Sequence, residues 1–182
     1  MVPMHAYQDL ITIFNACFQK EFNTCLVKGG DEPLYLPADA DTPYHRLCFA
    51  HGFFSSALHE CAHWLIAGKK RRLLPDFGYW YAPDGRDKAQ QALFFTAEAK
   101  PQALEWILSM ACGYPFRVSL DNLEGETGDT ETFKALVYQE VLQFCLQGLS
   151  ARAHRFREAL CFFYKQQPDL HLGDFALENL KL

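Results

Sequence analysis

Two imidazoles four residues apart, His59 and His63, enclose a carboxylate in the run His59-Glu60-Cys61-Ala62-His63. Side chains at i and i+4 of an α-helix lie one above the other, so the two rings project from one face toward a shared point. Glu60 sits about 100° around the helix, where it can rim the same point as a general base or orienting group without occupying it. The flanking residues Phe53, Phe54, Ala57, Leu58, Ala62 and Leu65 supply an apolar helical pattern. Two histidines and a glutamate in such a setting are costly to bury unless something satisfies them, and a metal ion does. The spacing predicts a helix over about residues 51–67, ending near Gly68, with Lys69-Lys70-Arg71-Arg72 suited to its negative end. The same basic run also fits a docking patch for an acidic protein.

Two histidines leave a metal centre short of one protein ligand. Downstream carboxylates within reach are Asp76, Asp84, Asp87, Glu98 and Glu105, and His45 or His51 are further candidates. Asp84 and Asp87 lie in Ala82-Pro83-Asp84-Gly85-Arg86-Asp87, where aspartate has ordinary work as a turn or cap residue. Glu98 falls in the largely apolar stretch Ala92–Ala99 and there needs a counter-charge, which makes it the leading third ligand. Cys61 points away from the shared point and reads as core. His154 and His171 read as solvated, and His5 has no partner at metal spacing. Tyr79-Trp80-Tyr81 reads as core and sheet face, with a substrate-side wall as the sharper alternative.

The remaining elements must position this helix. Residues 5–22 have helical apolar spacing; Cys25–Val27, Leu34–Leu36 and His45–Ala50 read as short strands; and Phe77–Tyr81, bounded by Pro75 and Pro83, reads as another. A helix is expected from Asp87 to Glu98, and a separate one opened by Pro101 and running to about Cys112. Phe116–Leu120 suits extended chain and 123–130 a solvated loop. Two strong helices follow over about 131–147 and 151–166, then a turn and a short helix. The expectation is an α+β fold: one domain over residues 1–182, helix-rich with a small mixed sheet and the HExxH helix at its centre.

At 182 residues, with 49% hydrophobic and 15% aromatic content, the chain can bury a sizeable core. A net charge of −5 argues against direct nucleic-acid binding driven by phosphate neutralisation. No apolar run suits a membrane span, and no secretion signal is evident at the N-terminus. Seven scattered cysteines without CxxC spacing suit a reducing cytoplasm. Spacing leaves two chemistries open. Zinc would lower the pKa of a bound water with Glu60 as its base. Fe(II) held by two histidines and a carboxylate would instead leave positions for O2 and substrate. HExxH is the commoner signature of zinc hydrolases, including peptidase- and ribonuclease-like enzymes, but no glycine and third histidine follow His63.

Longer runs carry a resemblance. Phe49-Ala50-His51-Gly52-Phe53-Phe54-Ser55-Ser56-Ala57-Leu58 leading into His59-Glu60-Cys61-Ala62-His63-Trp64, the run Asp76–Arg86, and the segment around Glu98 resemble the bacterial elongation factor P hydroxylase family. The resemblance covers the whole chain. It implies a metallohydrolase-like fold similar to a bacterial metal-dependent endoribonuclease. It implies an Fe(II) centre at His59, His63 and Glu98 that uses O2, in a monooxygenase-type hydroxylase. The implied partner is the β-lysylated form of elongation factor P, a tRNA-shaped translation factor whose modified lysine is hydroxylated. Glu60 then has a catalytic role that is not that of a water-activating base, orienting a ligand or a bound water. The cationic side chain of such a substrate leads us to expect an acidic and aromatic cleft, with Glu60 and Tyr79–Tyr81 as candidates. A monomer is expected; the electron donor is not identifiable, and no arginine-based anchor for 2-oxoglutarate is recognisable.

Overall fold

In this computed structural model, which describes residues 5–79, 85–120 and 129–182, the chain enters through α1 (Tyr7–Phe22). Asn23 ends this helix in the left-handed region, at φ 51°, a conformation asparagine tolerates better than most residues. The turn feeds β1 (Thr24–Lys28), followed by β2 (Leu34–Leu36) and β3 (His45–Phe49). β3 lies in the middle of the sheet, parallel to β1 and antiparallel to β2. The sheet is therefore small and mixed. Helices α2 (Phe54–Ile66), α3 (Lys88–Cys112), α4 (Thr130–Gln147) and α5 (Ala151–Tyr164) make up most of the rest. The architecture is α+β, helix-rich, in a single domain. No helix among the described residues is long and apolar enough to cross a membrane.

α2 is wedged between β3 and α3, with α1 and α5 also packed against it. Its apolar spacing explains this. Ala57, Leu58, Cys61, Ala62, Trp64 and Leu65 are all buried, and Trp64 makes edge or tilted ring contacts with Phe14, Phe18 and Phe22 of α1. The carboxyl end of α2 is closed by cations. The Arg152 guanidinium donates to the carbonyls of Trp64 (2.8 Å), Leu65 (3.1 Å) and Ala67 (2.8 Å), and Arg72 donates to Ala67 O at 2.8 Å. These are the orphan acceptors at the end of a helix, at the pole of the dipole that favours positive charge.

Two expectations are overturned. Phe77–Tyr81 does not form a strand over its described residues: Pro75–Gly78 is a short 3-10 segment, and Trp80 and Tyr81 lie outside the described residues. Asp76 and Phe77 adopt positive φ (46° and 57°), which no strand permits. The segment is held there because the Asp76 carboxylate accepts the backbone N–H of Tyr35 at 2.8 Å, while the Phe77 ring stacks on the Tyr35 ring at 4.3 Å. It covers β2 rather than extending the sheet.

Pro101 does not open a new helix. It lies inside α3, which runs unbroken for 25 residues. A proline removes one intrahelical hydrogen bond and crowds the carbonyl four residues back, here that of Ala97. Burial outweighs that cost. From Ala99 to Cys112, every residue except Lys100 and Met110 is buried, so packing on all sides holds the helix together. Asp87 starts α3 with a capping box, its side chain accepting from Gln90 N while the Gln90 side chain accepts from Asp87 N. The 116–120 stretch has no regular secondary structure; Gln102 pins it by hydrogen bonds to both Ser119 N and Ser119 O. Most of the expected 123–130 loop lies outside the described residues.

Candidate metal centre

α2 and α3 cross with His59 and His63 facing Glu98. The Nε2 atoms of the two imidazoles are 3.1 Å apart, and Glu98 Oε2 lies 3.5 Å from His59 Nε2 and 3.3 Å from His63 Nε2. Two ligand atoms each about 2.1 Å from one ion lie about 3.0 Å apart at a right angle and about 3.4 Å apart at the tetrahedral angle. The three separations match ligands arranged on one side of a single ion. Glu98 is buried, and its Oε2 makes no hydrogen bond despite being enclosed by protein. An enclosed carboxylate oxygen without a donor is costly, and a cation beside it removes the cost. The donor set of two imidazoles and one carboxylate is the kind that suits Zn(II) or non-haem Fe(II).

The electrostatics follow from the same contacts. Burial opposes the charge on Glu98, but His63, His59 and Arg86 outweigh it and hold its carboxyl below the usual carboxylate range. Burial likewise opposes a charged His59, yet the Glu105 hydrogen bond and the charges of Glu105, Glu98 and Glu60 raise the imidazole to about 10. Burial pushes the Glu60 carboxyl upward, with His63 and His59 working against it. Glu60 is buried on α2 beside the histidines.

Glu105, weighed in the sequence as an alternative third ligand, has a different place. Its Oε2 lies 2.8 Å from His59 Nδ1. A carboxylate accepts and the ring nitrogen donates, so the neutral ring carries its proton on Nδ1 and presents a bare Nε2 lone pair to the cluster. This is the orienting contact that metal-bound histidines commonly have. The legible signal for it was the seven-residue spacing from Glu98 along one apolar helix, hidden by the expected break at Pro101. Arg86 was also missed. It is buried, its guanidinium lies 4.0 Å from the centre of the Phe94 ring, and it donates to the Gln91 side chain and to Leu120 O. Its charge adds, after those of His63 and His59, to what holds the Glu98 carboxyl down.

The other candidates lie elsewhere. His45 Nδ1 accepts from Ala38 N, His51 pairs with Asp31 at 3.7 Å, and Asp76 is on Tyr35. Asp87 caps α3, and Asp84 is outside the described residues. His5 contacts Cys112 O, and exposed His154 pairs with Glu158, while His171 is exposed at a 3-10 turn. Cys61 is fully buried in the core.

A cavity of about 630 Å³ opens beside His63. Among the described residues its wall carries Lys69, Lys70, Arg71 and Lys100 with Glu140 as the one acidic residue, and Tyr79, Ala97 and Pro101 also line it. The described lining is therefore cationic with a single tyrosine, where an acidic and aromatic cleft was expected. Tyr79 is 40% exposed, with the Arg71 guanidinium 4.1 Å from its ring centre, and not core. Of the basic run, Arg72 closes α2, while Lys69, Lys70 and Arg71 face the cavity.

Comparison with known proteins is consistent over nearly the whole length. The sequence model of the family described as elongation factor P hydroxylase matches residues 13–175. A protein of Haemophilus influenzae named elongation factor P lysine hydroxylase is 55% identical over 171 residues, covering 94% of this chain and 96% of that protein.

Proposed function

This chain belongs to the elongation factor P hydroxylase family, and on that premise we propose that it is an Fe(II)- and O2-dependent hydroxylase of the β-lysylated lysine of elongation factor P. The single observation that carries the metal assignment is the orphaned Oε2 of Glu98 facing two imidazole nitrogens at cis-ligand spacing. His59, His63 and Glu98 would hold the metal on one face. Fe(II) bound there supplies, with O2 and a source of two electrons, the oxidising power to exchange a C–H hydrogen for a hydroxyl.

The chain's own residues do the rest. Glu105 holds the His59 ring in the tautomer that presents Nε2, and Arg86 balances the Glu98 charge within the protein. Glu60, buried beside both histidines with its carboxyl pushed upward, orients a ligand or water at the centre. The crossing of α2 and α3 shields the cluster, leaving about a quarter of the His59 side chain and 15% of that of His63 exposed. Access is therefore narrow, as suits a single extended side chain. The metallohydrolase-like character of the fold, a single hydroxylase domain over residues 1–182, a monomeric state and a cytoplasmic location belong to the same reading.

The test is direct. Metal-free protein reconstituted with Fe(II) under air should add the mass of one oxygen atom to β-lysylated elongation factor P. Equal product under strict anaerobiosis, or with zinc alone, would overturn the oxygenase assignment. The alternative, a zinc hydrolase with Glu60 as base, draws support from the position of Glu60 beside the two histidines and predicts that no oxygen is added to this substrate under air, with O2-independent cleavage of a peptide or phosphodiester bond by the zinc-loaded protein instead.

A further inference from the structure

The charge of the cavity rim opposes the charge of the side chain that the proposed function brings to it. A β-lysylated lysine carries ammonium groups, yet among the described residues the lining of the cavity beside His63 holds four cationic residues and one carboxylate. The chain as a whole is acidic, with 22 Asp and Glu against 17 Lys and Arg, so this concentration of positive charge runs against the composition. Glu98, Glu105 and Glu60 are buried behind His63 and are not among the described lining residues.

Apolar surface continues from the rim. Leu73 is 63% exposed and Leu74 48%, directly after the basic run, and Tyr79 is exposed beneath Arg71. The Arg71 side chain is already held, donating to Phe77 O at 3.0 Å with its guanidinium over the Tyr79 ring. A pre-ordered arginine and tyrosine beside exposed leucines, bordered by lysines, have the composition of an interface centre with a charged border. Cations alone would suit any anion. Cations joined to exposed leucines, on a rim that runs up to His63 of the cluster, suit a protein with an acidic surface.

We propose that Lys69, Lys70 and Arg71, with Leu73, Leu74 and Tyr79, form the docking surface for the protein substrate, and that this surface receives an acidic patch flanking the modified lysine. The inference rests on the proposed function for the identity of the partner. The acidic flank neutralises the rim, so that the cationic arm passes the lysines toward His63 without net repulsion. Rim charges of this kind act on encounter and selectivity, so the interaction is salt-sensitive.

The experiment measures binding of metal-free protein to β-lysylated elongation factor P, and to a short peptide bearing the same modified lysine but no acidic residues. The double variant Lys69→Glu/Lys70→Glu should weaken protein binding by about tenfold or more at low salt and flatten its salt dependence. Peptide binding should be unchanged or tighter. Leu73→Ser should weaken protein binding without changing the salt slope. The proposal is overturned if the charge variant leaves protein binding unaltered. It is equally overturned if protein and peptide weaken together, which would place the cations on a small ligand inside the cavity, or if a short RNA duplex competes for the rim as strongly as elongation factor P. Salt-sensitive docking without any oxygen-dependent product would uphold this surface and overturn the hydroxylase reading alone.

Discussion

Glu98 and Glu105 stand two turns apart on α3 and address opposite nitrogens of one imidazole: Glu98 Oε2 lies 3.5 Å from His59 Nε2, and Glu105 Oε2 lies 2.8 Å from His59 Nδ1. One carboxylate belongs to the cluster and the other holds the far side of the His59 ring. Their removal should differ in kind. Glu98→Ala should abolish stoichiometric metal binding, whereas Glu105→Ala should keep it with affinity lowered about 10- to 100-fold. Titration of metal-free protein with Co(II), followed by its absorption spectrum, separates the two. Equal losses, or a greater loss at Glu105, would reject the assignment of Glu98 as ligand.

The raised His59 imidazole gives a pH dependence of definite sign. Its folded value is about 10 against an ordinary value of 6.5, so between these limits the native state holds more proton than the unfolded state. Its contribution to stability is complete below about 6.5 and is lost as pH rises toward 10. In the proposed centre metal and proton compete for the same Nε2, so metal affinity should rise across that window and binding should release protons. The melting temperature of metal-free protein, taken relative to a His59→Gln variant, should fall with rising pH. A rise would contradict the arrangement.

Glu60 separates the two chemistries. In the hydroxylase, Glu60→Gln should retain metal and lose turnover only partially, since the carboxyl orients rather than abstracts a proton. In a hydrolase, the same variant removes the base, and general-base contributions are typically about 10²- to 10⁴-fold. Oxygen added to β-lysylated elongation factor P by the iron-loaded variant, set beside any peptide or RNA hydrolysis by the zinc-loaded variant, reports the difference, and unchanged turnover in both would remove Glu60 from the mechanism.

Arg152 donates to three carbonyls at the end of α2 and lies 4.5 Å from the centre of the Trp64 ring. Arg152→Met keeps some of the packing and removes all three hydrogen bonds. It should cost about 2–4 kcal/mol by urea unfolding. An unaltered midpoint would show that water replaces the guanidinium at no cost.

Much of this was legible in the residues. The i, i+4 histidine pair, the apolar stripe of α2 and the oddity of a glutamate in Ala92–Ala99 led to the atoms that converge. The three strands lie at the short runs expected near Cys25–Val27, Leu34–Leu36 and His45–Ala50, whereas the aromatic run at Phe77 does not join them. What was hidden depended on contacts between distant parts of the chain. Local preference says that proline begins a helix; only the burial of Ala103 to Ile107 on all sides lets α3 pass through Pro101, and with that break removed Glu98 and Glu105 fall on one face. The aromatic run after Pro75 reads as a strand until Asp76 is seen to reach Tyr35, a residue 41 positions earlier. The cavity rim had the same character: Lys100 and Glu140 meet the Lys69–Arg71 segment only in three dimensions.

The bond from Tyr35 N to Asp76 has a consequence for how the protein behaves in a crowded solution. β2 is an outer strand of a three-stranded sheet, and a bare outer strand is a template for another chain. Here the central N–H of β2 is taken by a carboxylate, which brings negative charge and a backbone with the wrong dihedrals for pairing. A newly made copy with its own short strands exposed therefore meets, at β2, a margin whose central donor is already taken.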